Sequence, residues 1–95
     1  MTYEWDPEKG AANFKKHRVT FEEAASVFLD PAALTFWDPD HSEQEDREIT
    51  IGRSARQRVL FIAHAAREGR VRIISARRAT RQERRQYEEG IGDAT

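Results

Sequence analysis

Capping residues and helical spacing of apolar positions predict two helices in the first third of the chain. Asp6-Pro7-Glu8 begins a helix that runs to about His17, with an acidic cap and a proline in the first turn. Thr20 and Glu23 form a capping box for a second helix, and Asp30-Pro31 ends it, because a residue before proline disfavours helical dihedrals. The apolar residues of this second helix recur at helical spacing: Phe21, Ala24, Ala25 and Phe28.

From residue 34 onward apolar and polar residues alternate, which is typical of half-buried strands. Together with a short strand at 2–5, this pattern predicts strands at 34–37, 48–53, 58–66 and 71–76. Their short connections favour antiparallel neighbours. A second capping box, Thr80 with Glu83, begins a last helix that ends at Glu89. The predicted fold is α+β, with a strand, two helices, a four-strand meander and one helix. We expect a single domain over 1–95, ordered from 2 to 89, with a frayed tail at 90–95.

Composition excludes several classes of protein. The 95 residues include no cysteine, so a disulfide framework and a thiolate metal site are both ruled out. No apolar run approaches the roughly 20 residues that span a bilayer, and the N-terminal residues do not form a signal peptide. We therefore expect a cytoplasmic protein.

Charge divides the chain into two halves. Residues 1–47 carry five Lys or Arg against eleven Asp or Glu, whereas 48–95 carry eleven Arg against six acids. Guanidinium groups match the geometry of phosphate better than ammonium groups do. The basic half is explained either by a solvated surface with helix ion pairs or by a nucleic-acid interface.

The turns suggest a register for the sheet. A two-residue tip at Glu68-Gly69 pairs His64 with Ile73. A second two-residue tip, at Ala55-Arg56, places Arg47 opposite His64. The face expected to pack under the first two helices then carries Arg47, Ile49, Ile51, Arg53, Leu60, Ile62, His64, Ile73, Ser75 and Arg77. The other face, which is rich in small residues and left for a ligand, carries Glu48, Thr50, Gly52, Val59, Phe61, Ala63, Ala65, Arg72, Ile74, Ala76 and Arg78.

Several separated segments, in order, resemble one known family. They comprise Glu4-Trp5-Asp6-Pro7, Asn13, Lys16-His17, 19–25, 38–41, Arg47, Ile51-Gly52, 72–80 and 83–88. In these segments the chain resembles the BrnT toxin family over residues 3–89. The family often has glycine after Lys-His, where this chain has Arg18, so the first helix is expected to lack the usual left-handed stop.

The resemblance implies a type II toxin with a RelE-like fold, in which helices lie on one side of an antiparallel sheet. It further implies RNA cleavage that inhibits translation. A ribbon-helix-helix antitoxin of the BrnA kind would neutralise the toxin and bind operator DNA on behalf of the complex. The expected assembly is a homodimer or a toxin–antitoxin hetero-oligomer, without a membrane partner and without a cofactor.

Metal-independent RNA cleavage needs a base, an acid and cations around the phosphorane oxygens. The candidates for catalysis are Arg72, Arg77, His64, Glu48 and Arg47. The candidates for RNA binding are Arg78, Arg58, Arg53 and Tyr87. Several have a structural alternative: ion pairing or antitoxin contact for Arg72, Arg77 and Arg78, orientation of His64 for Arg47, a partly buried hydrogen-bonded ring for His64, a rim ion pair for Glu48, and packing on the sheet for Tyr87.

No metal site is expected. The acidic segment Asp38-Pro39-Asp40-His41-Ser42 lacks the glycine and glutamate of a calcium hand, and the three histidines show no zinc spacing. The alternative to an enzyme is a non-catalytic module, a corepressor whose arginine face contacts an acidic antitoxin segment or operator DNA.

Overall fold

A computed structural model describes residues 2–41 and 46–92, and it has the predicted α+β order of elements. The elements are β1 (Thr2–Glu4), α1 (Pro7–His17), α2 (Phe21–Ser26), β2 (Leu34–Trp37), β3 (Arg47–Arg53), β4 (Val59–Arg67), β5 (Arg70–Arg78) and α3 (Arg81–Gly92). Short 3-10 turns follow α2 at Val27–Leu29 and β2 at Pro39–His41. The sheet order is β1-β5-β4-β3-β2. The meander β2 to β5 is antiparallel as expected, but β1 pairs parallel to β5, so the sheet is mixed.

The two faces of the sheet have different covers. On the α1/α2 face, Val19 and the inward side chains of α2 and the following turn pack on Leu60, Ile62, Ile73 and Ala76. On the opposite α3 face, Tyr87 packs with Ile49, Ile51 and Val59. The helices therefore lie on both sides of the sheet, rather than on one side as the family resemblance implied. Within the part of the chain that the structure describes, no helix has the length and apolar character to cross a bilayer.

The predicted register between β3 and β4 is wrong by one residue. Arg47 pairs with Ala65 instead of lying opposite His64, and Arg53 pairs with Val59 instead of Arg58. The reason is the turn, which has three residues rather than two, with the last of them, Gln57, at φ 64. A three-residue hairpin of this kind ends on a left-handed residue, and the extra residue turns every β3 side chain to the other face.

The hairpin between β4 and β5 has the predicted tip but contains a bulge. Glu68 and Gly69 both have positive φ, and His64 pairs with Ile73 as expected. Beyond that pair the register shifts, so that Ala63 pairs with Ser75 and Ile74 is left as the extra residue. Because a bulge inserts one residue into one strand, Ser75 and later β5 residues lie on faces opposite to those predicted.

Two helix ends also differ from expectation. Arg18 itself adopts the left-handed conformation at φ 59, and its N–H donates to the Phe14 carbonyl at 2.8 Å, so α1 does have a left-handed stop. The last helix does not end at Glu89 but continues to Gly92. Gly90 lies against Leu34, where an added Cβ would lie 2.8 Å from Cδ1, so close packing explains this glycine. The predicted tail at 93–95 lies outside the described residues.

The side chain of Asn13 docks α1 on the free edge of β5. Strand β1 pairs with β5 only as far as Arg72, which leaves later backbone groups of β5 without a strand neighbour on that side. The Asn13 amide accepts a hydrogen bond from the Ala76 N–H at 3.1 Å and donates to its carbonyl at 2.8 Å. It also donates to the Val19 carbonyl at 2.9 Å. One buried amide thus provides hydrogen-bond partners for Ala76 on the edge of β5 and for the Val19 carbonyl in the chain that follows α1.

We expect Asn13→Ala to lower the free energy of unfolding by about 2–4 kcal/mol, because it leaves buried backbone groups without partners. Asn13→Asp keeps the volume but sets a carboxylate against two carbonyl oxygens, so it should also destabilise. Urea unfolding measures the free energy of unfolding of both variants. The control is Gln82→Ala, which removes an exposed amide on α3. An Asn13→Ala protein as stable as the control would contradict this role.

Candidate functional site

An open cleft of about 400 Å³ lies on the α3 face, beside the N-terminal end of α3. Its apolar lining consists of Phe36, Ile49, Phe61, Ala63 and Ile74, and its polar lining of Asp38, Asp40, His41, Arg47, Ser75 and Arg77. The lining residues come from β2 to β5 and from the turn after β2. The cleft therefore exists only because the four antiparallel strands are in register.

Three of the predicted catalytic arginines lie on this face. Ala65 pairs with Arg47 on one side and with Arg72 on the other, so these two arginines flank a fully buried alanine two strands apart. Adjacent strands are about 4.8 Å apart, which separates the two backbones by roughly 10 Å and allows long side chains to reach one phosphate. Arg77 enters the cleft from the other end of β5.

Arg77 is held in a fixed orientation. Its Nη1 and Nη2 donate to the two carboxylate oxygens of Glu83 at 2.8 and 3.0 Å, and its guanidinium lies 4.0 Å from the centre of the Phe61 ring. Glu83 also caps α3, since it accepts from the Thr80 N–H at 2.9 Å. The hydrogen bond from Arg77 lowers the pKa of Glu83, which keeps this carboxylate ionised. A planar cation so fixed is suited to hold an anion without reorganising.

A histidine that sequence reasoning did not select completes the polar side of the cleft. His41 lies in the turn after β2, and its Nδ1 donates to the Asp38 carboxylate at 2.9 Å. The His41 side chain is 65% exposed, so its second ring nitrogen is accessible to a ligand. The spacing Asp38-x-x-His41 is the signal in the sequence for this pair, although the same segment does not have the pattern of a metal loop. It brings together a carboxylate and an imidazole, which is a common arrangement for proton transfer.

Helix α3 is fixed to the sheet by the Tyr87 hydroxyl, which donates to the Asp30 carboxylate at 2.6 Å. Asp30 also accepts from the backbone N–H groups of Arg53 and Ala32. Burial raises the pKa of Asp30, but these hydrogen bonds outweigh it and the pKa is lowered overall. Tyr87 is only 4% exposed, so its ring packs on the sheet, and the alternative of a base-stacking platform does not fit this geometry.

His64 does not lie in the cleft. It is 4% exposed on the α1/α2 face, where its ring contacts Phe28 edge-on at 4.9 Å and its Nε2 shares a 2.7 Å hydrogen bond with the Thr50 hydroxyl. Burial lowers its pKa to about 4. Its cross-strand neighbour Glu48 lies on the same face, so the structure brings neither candidate to the arginines of the cleft.

Arg58 belongs to a buried network at the start of β4. It forms two hydrogen bonds with the Glu23 carboxylate, and it donates to the Arg18 carbonyl at 3.1 Å. Burial alone would raise the pKa of Glu23, but the hydrogen bonds from Arg58 and Ser54 lower it overall. These contacts give Arg58 a structural role, because its ion pair with Glu23 joins α2 to the sheet.

The other two predicted RNA-binding arginines lie apart from the cleft. Arg53 is on the α3 face, but its Nη1 donates to the Gln57 carbonyl at 3.4 Å in the β3–β4 turn. Arg78 pairs with Leu60, which places it on the α1/α2 face. The bulge at Ile74 explains why Arg77 and not Arg78 shares the cleft.

We expect the His64 ring to titrate near pH 4 and to make stability depend on pH. The unfolded chain takes up a proton near pH 6.5 and the folded chain only near pH 4, so stability falls as the pH is lowered between these values. The loss should be about 2 kcal/mol at pH 5, measured by urea unfolding against pH 7. His64→Gln should remove this loss, whereas His17→Gln, on an accessible helix end, should keep it. A His64 ring that titrates above pH 6 in an NMR experiment would contradict the prediction.

Comparison with known proteins agrees with the geometry of the fold. The family model described as the ribonuclease toxin BrnT of type II toxin–antitoxin systems matches residues 5–83. The crystal structure of the Brucella abortus ribonuclease toxin BrnT superposes with a TM-score of 0.65 at 19% sequence identity, covering 85% of this chain and all of that one. No curated protein sequence matches the chain. The match covers most of the chain, from Trp5 to Glu83, and the chain belongs to the BrnT family of ribonuclease toxins.

Proposed function

We propose that the cleft on the α3 face is the active site, and that it cleaves RNA without a metal ion. The observation that carries this proposal is the presence, in one open cleft, of the Asp38–His41 pair together with Arg47 and Arg77. The polyanionic substrate fits the arginine-rich half of the chain. Cleavage of messenger RNA in the cytoplasm would stop translation, as expected of a toxin.

The reaction we propose is an in-line transesterification. The 2′-hydroxyl attacks the adjacent phosphorus, the bond between phosphorus and the 5′ oxygen breaks, and the products are a 2′,3′-cyclic phosphate and a 5′-hydroxyl. A carboxylate can only accept hydrogen bonds, so Asp38 fixes the proton of His41 on Nδ1 and leaves Nε2 as an acceptor. His41 therefore serves as the general base that takes the 2′-hydroxyl proton, and water protonates the leaving oxygen.

The arginines stabilise the charge that develops on phosphorus. Arg77 is oriented by contacts on two sides, with the Glu83 carboxylate and with the Phe61 ring. Arg47 also lines the cleft. Arg72 lies on the same face of the sheet but outside the lining of the cleft, 3.9 Å from Glu4. Preorganised donors of this kind are worth most where charge appears only in the transition state.

The partner we propose is a ribbon-helix-helix antitoxin similar to BrnA. An antitoxin inhibits most simply by covering the cleft with acidic or aromatic side chains that occupy the position of the phosphate. Operator DNA would then be bound through the antitoxin alone. The toxin would contribute its cationic face to the complex and not to the DNA.

The central test is cleavage of purified RNA in the presence of EDTA. We expect the wild-type chain to cleave under these conditions, and Arg77→Ala to reduce kcat about 100- to 1000-fold, which is typical for loss of one oxyanion donor. Arg56→Ala, an exposed arginine at the tip of the β3–β4 turn, is the control and should cleave at the wild-type rate. Circular dichroism verifies that both variants fold. Full activity of the Arg77→Ala protein, or cleavage that stops on addition of EDTA, would contradict the proposed chemistry.

A second test concerns the base. We expect His41→Ala to lower kcat at least about 100-fold with little change in KM, because general base catalysis acts on the chemical step. The ascending limb of the pH–rate profile should disappear in this variant. His17→Ala, at the end of α1, is the matched control and should keep both the rate and the profile. An unchanged profile after removal of His41 would assign the proton transfer to another group.

A further inference from the structure

One row of side chains forms the floor of the cleft. Across the four antiparallel strands, Phe36 pairs with Ile49, Ile49 with Ala63, and Ala63 with Ser75. Directly opposed residues in a sheet lie on the same face, so all four side chains point into the cleft. The two central strands contribute the Ile49 and Ala63 side chains, which are smaller than the Phe36 ring. The Phe36 ring stands at one end of this row.

The Phe36 ring is available to a ligand, unlike the other aromatic ring in the cleft. Phe36 is 39% exposed. The Phe61 ring is covered by the Arg77 guanidinium, 4.0 Å from its centre. Among the described residues Phe36 has no such cation or ring contact. Trp37 is more exposed at 57%, but it follows Phe36 on the strand and therefore lies on the opposite face.

A ligand for this floor must combine two properties. It needs a flat apolar group to lie against Phe36 and the apolar floor, and an anionic group to reach Arg47 and Arg77. A nucleotide has both, since every base presents an apolar ring face while its phosphate is anionic. The Ser75 hydroxyl, at the far end of the floor from Phe36, can meet the hydrogen-bonding edge of a base.

We propose that Phe36 is the stacking platform for the nucleobase adjacent to the scissile phosphate of RNA. This inference rests on the proposed function and adds to it a base-binding subsite. The base stacks on Phe36 while the phosphate contacts the arginines of the cleft. Together these contacts fix the RNA backbone between the base and the phosphate. The subsite thereby positions the nucleotide whose 2′-hydroxyl faces His41.

The test uses a short RNA oligonucleotide with one mapped cleavage site and two variants of it, each with an abasic ribose on one side of that site. On the intact RNA, Phe36→Ala should raise KM roughly 5- to 150-fold, which corresponds to the loss of one base–aromatic stack. The KM of the wild-type protein should rise by the same factor on one of the two abasic RNAs. On that abasic RNA, Phe36→Ala should not raise KM any further. Phe36→Tyr should behave as wild type on every substrate.

Trp37→Ala is the matched control, an exposed aromatic on the same strand but the opposite face, and it should cleave all three RNAs as wild type does. An equal loss by Phe36→Ala on intact and abasic RNA would overturn the proposal, because the effect would then not require a base. Normal cleavage by Phe36→Ala with lost antitoxin neutralisation would overturn it in favour of a protein contact. Cleavage that depends on Arg77 but not on Phe36 would refute this subsite alone, whereas cleavage independent of Arg77 would refute the proposed active site.

Discussion

The whole arrangement depends on how the outer edge of β5 is satisfied. Beyond Arg72 that edge has no strand beside it, and the Asn13 amide takes the place of a neighbouring peptide by both accepting from and donating to Ala76. Because a buried peptide group without a partner is costly, this contact fixes α1 on the sheet. The first two helices can then cover the centre of one face around Leu60 and Ile62.

The opposite face of the sheet is only partly covered, and the open part contains the candidate site. Helix α3 covers only part of that face, through Tyr87 on Ile49 and Ile51, and it is held there by Asp30. The remaining part is the cleft. Its floor belongs to the antiparallel strands β2 to β5, whereas His41 lies in a turn at the margin. A rigid scaffold with polar groups at its edge is the usual plan of a binding site in a small domain.

The basic half of the chain serves two purposes that composition does not separate. Arg58 forms a buried ion pair with Glu23, and this pair stabilises the junction between α2 and the sheet. Arg77 is also paired, with Glu83, but it lies at the cleft, where the pairing orients it. Loss of the first ion pair would therefore affect folding, whereas under the proposed function loss of the second would affect RNA cleavage. Neither use can be read from the density of arginines alone.

Local signals in the sequence were enough to predict the helices and strands, because caps and turn residues act within a few positions of the chain. Asp6 began the first helix, Thr80 the last, and Glu68-Gly69 made the hairpin tip, all as predicted. The face of each strand residue was decided only in the folded sheet, where Gln57 and Ile74 each add one residue to a strand connection or ladder. Since side chains alternate with a period of two, one extra residue reverses a whole strand. The tertiary structure thus brought Arg47 and Arg77 to one cleft, left His64 in the core and placed His41 at the margin of that cleft.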